Sequence, residues 1–212
     1  MAEIRTAYVL AATSAVALMH NPKVGLAWSR PSALTEFTVG GLAGHLGNQL
    51  VRVEQVLADD ERPGQPISLL QHYVESPWVE AGLDHESNVS IRQGGESIAA
   101  CGPAALAERL GDVLRRLTKA LPAEPADRAV KLPWAGWALT LDDFLLTRLM
   151  EIVVHCDDLA SSVGLATPEF QPEVIEPVVD LLARLAVHRH GATAVIRALS
   201  RTERAPSTIS AF

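Results

Sequence analysis

The sequence of 212 residues is poor in cysteine and in basic charge. Its only cysteines, Cys101 and Cys156, do not form the disulfide framework of a small secreted domain, and they are consistent with a reducing compartment. Eighteen Lys and Arg stand against 25 Asp and Glu, which gives a net charge of −7. A domain-scale basic patch is therefore absent from the sequence, and this disfavours nucleic-acid binding.

No apolar run is long enough to span a bilayer. Residues 7–19 are largely apolar, but a transmembrane helix needs about 20 such residues. Glu3 beside a lone Arg5 is also unlike the basic start of a signal peptide. We therefore interpret this segment as the first helix of a cytoplasmic protein without a membrane partner. The 48% hydrophobic and 20% charged content supports one sizeable core.

The apolar periodicity predicts mostly helices. Strong helical patterns cover residues 2–19, 38–56, 103–121, 140–163, 168–190 and 192–200. Residues 67–81 look helical despite Pro77, whereas residues 83–102 are polar and suggest at most a short helix between loops. Ala135-Gly136 between apolar residues indicates a small β-hairpin or ordered loop. The pattern predicts an all-α helical bundle with this small insertion and extra C-terminal helices.

Four glycines surround His45 on the second predicted helix. Gly40, Gly41, Gly44 and Gly47 are poor helix formers, so their clustering has a local cost in stability. Glycine lets another backbone or a ligand approach closely. We therefore expect a neighbouring helix or a ligand beside His45.

A polar stripe runs along the otherwise apolar helix predicted at residues 140–163. Glu151 and His155 lie four residues apart on one helical face, and Arg148 and Asp158 extend the same stripe. Spacing alone favours a solvated pair, but this stripe faces the expected core, where polar groups need partners. With His45 from the second helix, the stripe predicts a three-ligand metal site, in which Arg148 and Asp158 orient the ligands.

Further residues have two interpretations each. Asn48 and Arg52 follow His45 by about one and two turns, so they would face the same cavity. Arg52 suits an anionic thiol or a carboxylate substrate, although an ordinary surface ion pair is the default interpretation. Trp134 either walls a substrate pocket or packs the hairpin on the bundle. Cys156 points away from His155 and is interpreted as a buried structural thiol.

Two segments resemble a known family. Residues 28–32 (WSRPS) and 37–46 (FTVGGLAGHL) form the first, and residues 148–160 form the second, with the pattern R-x2-E-x3-H-x2-D-L. Together they resemble the mycothiol-dependent maleylpyruvate isomerase N-terminal domain family, within the DinB-like metalloenzyme superfamily. The resemblance implies an up-and-down four-helix bundle in which His45, Glu151 and His155 bind a divalent metal, most often Zn²⁺.

The resemblance also implies an activity. Members of the family activate mycothiol, the low-molecular-weight thiol of actinobacteria, on the metal for attack on a small electrophile. We expect a bundle at residues 1–165 and a helical extension at 166–212 packed on the same domain. Since this extension is unlike the α/β second domain of full-length isomerases, thiol S-transfer is favoured over isomerisation.

Two other functions and one assembly stay open at this stage. A zinc-dependent hydrolase would use the same metal site, with Asp157 or Asp158 as the general base. A non-catalytic bundle would bind a small ligand beside a structural metal. A homodimer through the first or last helix is compatible with the sequence, and no residue beyond the ligands is assigned to catalysis.

Overall fold

The computed structural model describes residues 2–59, 63–79, 81–125 and 127–212. These residues form nine α-helices and one β-hairpin: α1 (Ala2–Met19), α2 (Pro22–Leu26), α3 (Val39–Ala58), α4 (Leu69–Glu75), α5 (Glu86–Ala99), α6 (Pro103–Ala120), β1 (Ala129–Leu132), β2 (Trp137–Thr140), α7 (Leu141–Ser162), α8 (Pro172–His190) and α9 (Ala192–Ser200). The predicted all-α helical bundle is confirmed.

Four long helices, α1, α3, α6 and α7, enclose the core. In cross-section α1 packs on α7, α7 on α3, α3 on α6, and α6 on α1. Leu and Val side chains of α3, α6 and α7 are buried between them, together with Phe144, and α1 contributes Tyr8 and four fully buried alanines. Burial of this apolar face holds the bundle together, since an isolated helix of such length is only marginally stable in water.

Contacts along the helices give their directions. Arg5 near the start of α1 donates to Asp142 near the start of α7, at 2.9 Å, so these helices run the same way. His45 early in α3 meets His155 late in α7. Gln49, about one turn later in α3, meets Arg148, about two turns earlier in α7, so α3 and α7 are antiparallel. Along the chain, α1 and α7 therefore run opposite to α3.

Helix α6 runs in the same direction as α3. Gly47 of α3 lies against Leu110 of α6. About two turns further along both helices, Glu54 accepts a hydrogen bond from Arg116 at 2.6 Å. The directions along the chain are therefore up, down, down and up. The long connection through α4 and α5 makes this parallel pair possible, because antiparallel neighbours need only a short loop.

Helix α5 was the least expected element. Its polar sequence with Gly94-Gly95 predicted at most a short helix, yet it spans Glu86–Ala99 and packs along α3. A β-carbon on Gly44 would overlap the carbonyl oxygen of Gly95, and one on Gly95 would lie 2.5 Å from the carbonyl oxygen of Gly41. The glycines around His45 thus serve the close approach of a neighbouring helix, which is one of the two predicted reasons.

Two predicted helices have different bounds. The helix expected at 67–81 is limited to Leu69–Glu75, because Ser76 before Pro77 is extended, with φ −75° and ψ 116°; residue 80 lies outside the described residues. The helix expected from residue 168 begins at Pro172, where proline suits the first turn. The predicted hairpin is confirmed, with Val130 paired to Leu139.

The C-terminal helices lie against the outside of the bundle. Helix α8 packs on α1 and α7, and α9 packs on α8. The Phe212 ring lies 5.8 Å from that of Tyr73 on α4 and 5.2 Å from that of Trp78, which follows α4. Among the described helices, none has both the length and the apolar content to cross a membrane.

Candidate metal centre

Local capping positions the helices that carry the site. Thr38 Oγ1 accepts from the backbone N–H of Gly41 at 2.8 Å and starts α3. Thr140 Oγ1 accepts from the backbone N–H of Asp143 at 3.1 Å and starts α7. Gly164, with φ 64°, follows the end of α7. These caps fix where each helix begins, and hence which side chains face each other across the bundle.

Three ligand atoms meet where α3 faces α7. His45 Nε2 lies 3.3 Å from Glu151 Oε2 and 3.2 Å from His155 Nε2, and the last two atoms are 3.2 Å apart. Tetrahedral zinc holds nitrogen or oxygen about 2.0–2.1 Å away, which places neighbouring ligand atoms about 3.3 Å apart. This triangle therefore has the dimensions of one face of a metal coordination shell.

Asp158 determines how His155 presents its ring. His155 Nδ1 lies 2.9 Å from Asp158 Oδ2, and because an ionised carboxylate only accepts, Nδ1 carries the proton of that hydrogen bond. In the neutral ring, the lone pair of Nε2 therefore points at Glu151 and His45. The three atoms are then placed either to share a proton or to bind a metal ion.

The ionisation of the triad follows from burial and from these contacts. Burial lowers the pKa of His45, so this ring is neutral. Burial also opposes the charge on Glu151, but hydrogen bonds from His155 and His45 outweigh it and hold its pKa well below the ordinary value. For His155, burial is outweighed by Asp158 and Glu151, which raise its pKa to about 9. Without a metal, one proton on His155 compensates the carboxylate charge.

The triad is largely buried. The side chains of His45, Glu151 and His155 are 11%, 13% and 13% exposed. The Phe37 ring lies 5.7 Å from the His45 ring and covers part of the site. Among the described residues three side chains converge, which would leave a tetrahedral ion one further position for water or substrate, as catalytic sites require.

Gln49 is a residue of the site that the sequence reasoning missed. Its amide donates to the backbone oxygen of His45 at 2.9 Å, and its side-chain oxygen accepts from Arg148 at 2.7 Å. Arg148 thus supports His45 through Gln49 instead of contacting a ligand directly. The available signal was Gln49 on the apolar stripe of α3, one turn after His45, because a buried amide there needs partners on the facing helix.

Three other residues singled out in the sequence, Arg52, Asn48 and Cys156, do not contact the triad ligands through hydrogen bonds in the described residues. Arg52 stacks on Trp134, with Cζ 3.9 Å from the ring centroid, instead of forming the default surface ion pair. Asn48 is half-buried and makes no hydrogen bond with any residue that the structure describes. Cys156 is fully buried, as predicted, and burial raises the pKa of its thiol to about 12.

Comparison with known families assigns the chain to one of them. Residues 10–160 match the family described as the mycothiol maleylpyruvate isomerase N-terminal domain. The chain belongs to this family. The match spans nearly all of the four-helix bundle, including His45 and the stripe on α7, and it ends before α8. This domain is part of the DinB-like superfamily. No curated protein and no solved structure gives a significant match to the chain.

Proposed function

We propose that this member of the mycothiol maleylpyruvate isomerase N-terminal domain family is a metal-dependent, thiol-dependent transferase. In this proposal His45, Glu151 and His155 hold a divalent ion, with zinc as the expected metal. The thiol cosubstrate is mycothiol or a similar low-molecular-weight thiol, and the second substrate is a small electrophile.

The converging triangle of ligand atoms carries the proposal. Two imidazole nitrogens and one carboxylate oxygen form edges of 3.2–3.3 Å, with Asp158 directing the free lone pair of His155 inward. Imidazole and carboxylate suit zinc and related divalent ions. No other group of this kind is found among the residues that the structure describes.

When bound, the ion would act as a Lewis acid that favours the thiolate form of a coordinating thiol at neutral pH. The chain contributes position and shielding. Asp158 orients His155, Gln49 and Arg148 support the backbone of His45, and Phe37 covers one side of the triad. Together these contacts keep the ligands in place before a substrate arrives.

Two outcomes are chemically available to the activated sulfur. In transfer, sulfur forms a bond to the electrophilic carbon, the leaving group departs with its electron pair, and the thiol proton goes to solvent. In isomerisation, sulfur adds to a double bond, the new single bond rotates, and sulfur leaves.

The hydrolase alternative is less well supported by the geometry. Its general base was expected to be Asp157 or Asp158. Asp158 is engaged by His155 Nδ1, and the exposed Asp157 accepts a hydrogen bond from Thr167. Neither carboxylate is therefore placed to take a proton from water at the triad.

A conjugation assay tests the proposed activity. Zinc-loaded protein is mixed with monochlorobimane or 1-chloro-2,4-dinitrobenzene, with and without mycothiol. We expect product formation that requires mycothiol and falls to the uncatalysed rate in Glu151→Gln, which keeps the side-chain shape but loses the charge. Ester hydrolysis without thiol would favour the hydrolase, and zinc binding without either activity would favour a ligand-binding bundle. A reducing cytoplasmic location is part of the same proposal.

A further inference from the structure

Two arginines lie on the same side of the metal triad. Arg52 follows His45 by seven residues on α3, about 10 Å along the helix axis. Arg148 precedes Glu151 by three residues on α7. Because α3 and α7 are antiparallel, a residue after His45 on α3 and a residue before Glu151 on α7 are displaced from the triad in the same direction. Both guanidinium groups therefore lie towards the β-hairpin end of the site.

A pair of aromatic rings supports these guanidinium groups. Arg52 Cζ lies 3.9 Å from the centroid of Trp134, and Arg148 Cζ lies 5.4 Å from that of Phe144. The two rings contact each other, with centroids 6.2 Å apart. Trp134 comes from the turn of the hairpin and remains 44% exposed, so this arrangement borders solvent. Cation–π contacts orient both arginines without neutralising them.

Neither arginine has a carboxylate hydrogen-bond partner among the described residues. Arg148 donates through Nε to Thr147 and through Nη1 to Gln49, which are neutral, and its Nη2 is unpaired within this set. The side chain of Arg52 donates no hydrogen bond to any residue in the described ranges. Other arginines of the chain do contact carboxylates: Arg116 pairs with Glu54 and the half-buried Arg128 with Glu124.

The two charges also act on each other. Burial, followed by the positive charge of Arg148, lowers the pKa of Arg52 to about 10, and the negative charge of Glu151 opposes this shift. A divalent ion in the triad would neutralise the charge of Glu151, which otherwise acts on both arginines, and would leave the two guanidinium charges in excess. A half-buried cation without a partner is unfavourable, and an incoming anion would relieve both the desolvation and the repulsion.

We propose that Arg52 and Arg148 form a carboxylate-binding site next to the metal triad, supported by Trp134 and Phe144. The guanidinium fork matches a planar carboxylate in two parallel hydrogen bonds. The ligand class is a small acidic molecule whose carboxylate binds the arginines while its other end reaches the triad. This inference rests on the proposed function for its biological use, but carboxylate binding itself does not require the metal.

Fluorine NMR of Trp134 tests the site directly. The protein is labelled with 5-fluorotryptophan, its four tryptophan resonances are recorded, and Trp134→Phe identifies the relevant one. Succinate is then titrated into metal-free and zinc-loaded protein, with the neutral succinamide as the matched probe. We expect succinate, and not succinamide, to shift the Trp134 resonance in both forms.

Variants decide whether the arginines are responsible. Arg52→Gln is expected to weaken succinate binding at least tenfold, and Arg52→Lys to weaken it less, since charge is kept and the fork is lost. Arg116→Gln, on the neighbouring helix, is the matched control and should bind as the wild type does. Far-UV circular dichroism verifies folding, and the Lys variant keeps the test valid if the Gln variant misfolds.

Several results would overturn the inference. These are no succinate response in the wild type, equal responses to succinate and succinamide, or unchanged binding in both Arg52 variants. If only the metal assignment is wrong, the result differs. The protein still binds succinate through Arg52, but it does not retain zinc after loading. The two hypotheses therefore fail separately.

Discussion

Asp158 Oδ2 lies 2.9 Å from His155 Nδ1, one turn further along the same helix. This hydrogen bond occupies the outer nitrogen of the ring and leaves Nε2 facing Glu151 and His45. A carboxylate in this position also makes the imidazole a stronger base and hence a better metal ligand. Asp158 is thus a positioning residue that acts through His155.

Asp158→Asn should weaken zinc binding about 10–100-fold, because the amide removes the negative charge behind His155. Competition with a chromophoric chelator measures the affinity. Asp157→Asn provides the matched control, since this neighbouring carboxylate is exposed and bonds to Thr167. Equal losses in the two variants would mean that general surface charge, and not the contact with His155, governs affinity.

Gly95→Ala should destabilise the fold by about 1–3 kcal/mol, as in other overpacked interiors. Its β-carbon would lie 2.5 Å from the backbone oxygen of Gly41, which forces α5 away from α3. Because His45 is on α3, zinc affinity should fall as well. Urea unfolding and the chelator assay measure the two effects.

The adjacent glycine gives the control for this effect. A β-carbon on Gly94 would meet no atom within 4 Å, so Gly94→Ala should stabilise α5 by about 0.5–1 kcal/mol through helix propensity. If both substitutions change stability in the same direction, the close approach of α5 to α3 is not what requires Gly95.

Two buried tyrosines should respond differently to loss of their hydroxyl groups. Tyr8 donates to the backbone oxygen of Gln49 at 3.1 Å, and Tyr73 has no hydrogen-bond partner among the described residues. Tyr8→Phe should therefore cost about 1 kcal/mol of unfolding free energy, whereas Tyr73→Phe should be neutral or stabilising. Chemical denaturation of both variants measures this, and a larger loss for Tyr73→Phe would contradict the assignment.

His72 should make stability depend on pH. Burial, followed by the charge of Arg148, lowers its pKa from 6.5 to about 4, and its Nδ1 accepts from Trp137 Nε1 at 3.0 Å. Between these pH values the unfolded chain binds a proton that the folded chain does not. Stability therefore falls as the pH is lowered, by about 1.4 kcal/mol per pH unit from this residue.

His72→Gln isolates this contribution, because glutamine can accept from Trp137 but does not titrate. Urea unfolding of wild type and variant at pH 7, 6 and 5 should give free energies whose difference shifts in favour of the variant as the pH falls. A constant difference across this range would show that His72 keeps an ordinary pKa in the folded protein.

The long bundle helices were predictable because their apolar residues recur at helical spacing, and Thr38 and Thr140 mark their starts. Helix α5 was not, since its polar sequence with Gly94-Gly95 has low intrinsic helix propensity. Its stability comes from tertiary packing on the glycines of α3, and a single sequence does not reveal which segment fills such a groove.

The candidate site likewise has residues that were predictable from the sequence and contacts that were not. Glu151 and His155 share one helix, so their spacing put them together, and the glycines and apolar stripe around His45 drew attention to the third residue. The Arg148–Gln49 contact and the stacking of Arg52 on Trp134 depend on the register between α3, α7 and the hairpin. Such register is set by packing across the bundle and has no local signature in the sequence.

The metal content of the purified protein tests the central claim most directly. Wild type and variants are loaded with zinc, dialysed, and analysed by inductively coupled plasma mass spectrometry. We expect one zinc per chain in the wild type and in His20→Ala, an exposed histidine outside the site, and none in His45→Ala or Glu151→Gln. One zinc per chain in all four proteins would contradict a metal centre formed by His45, Glu151 and His155.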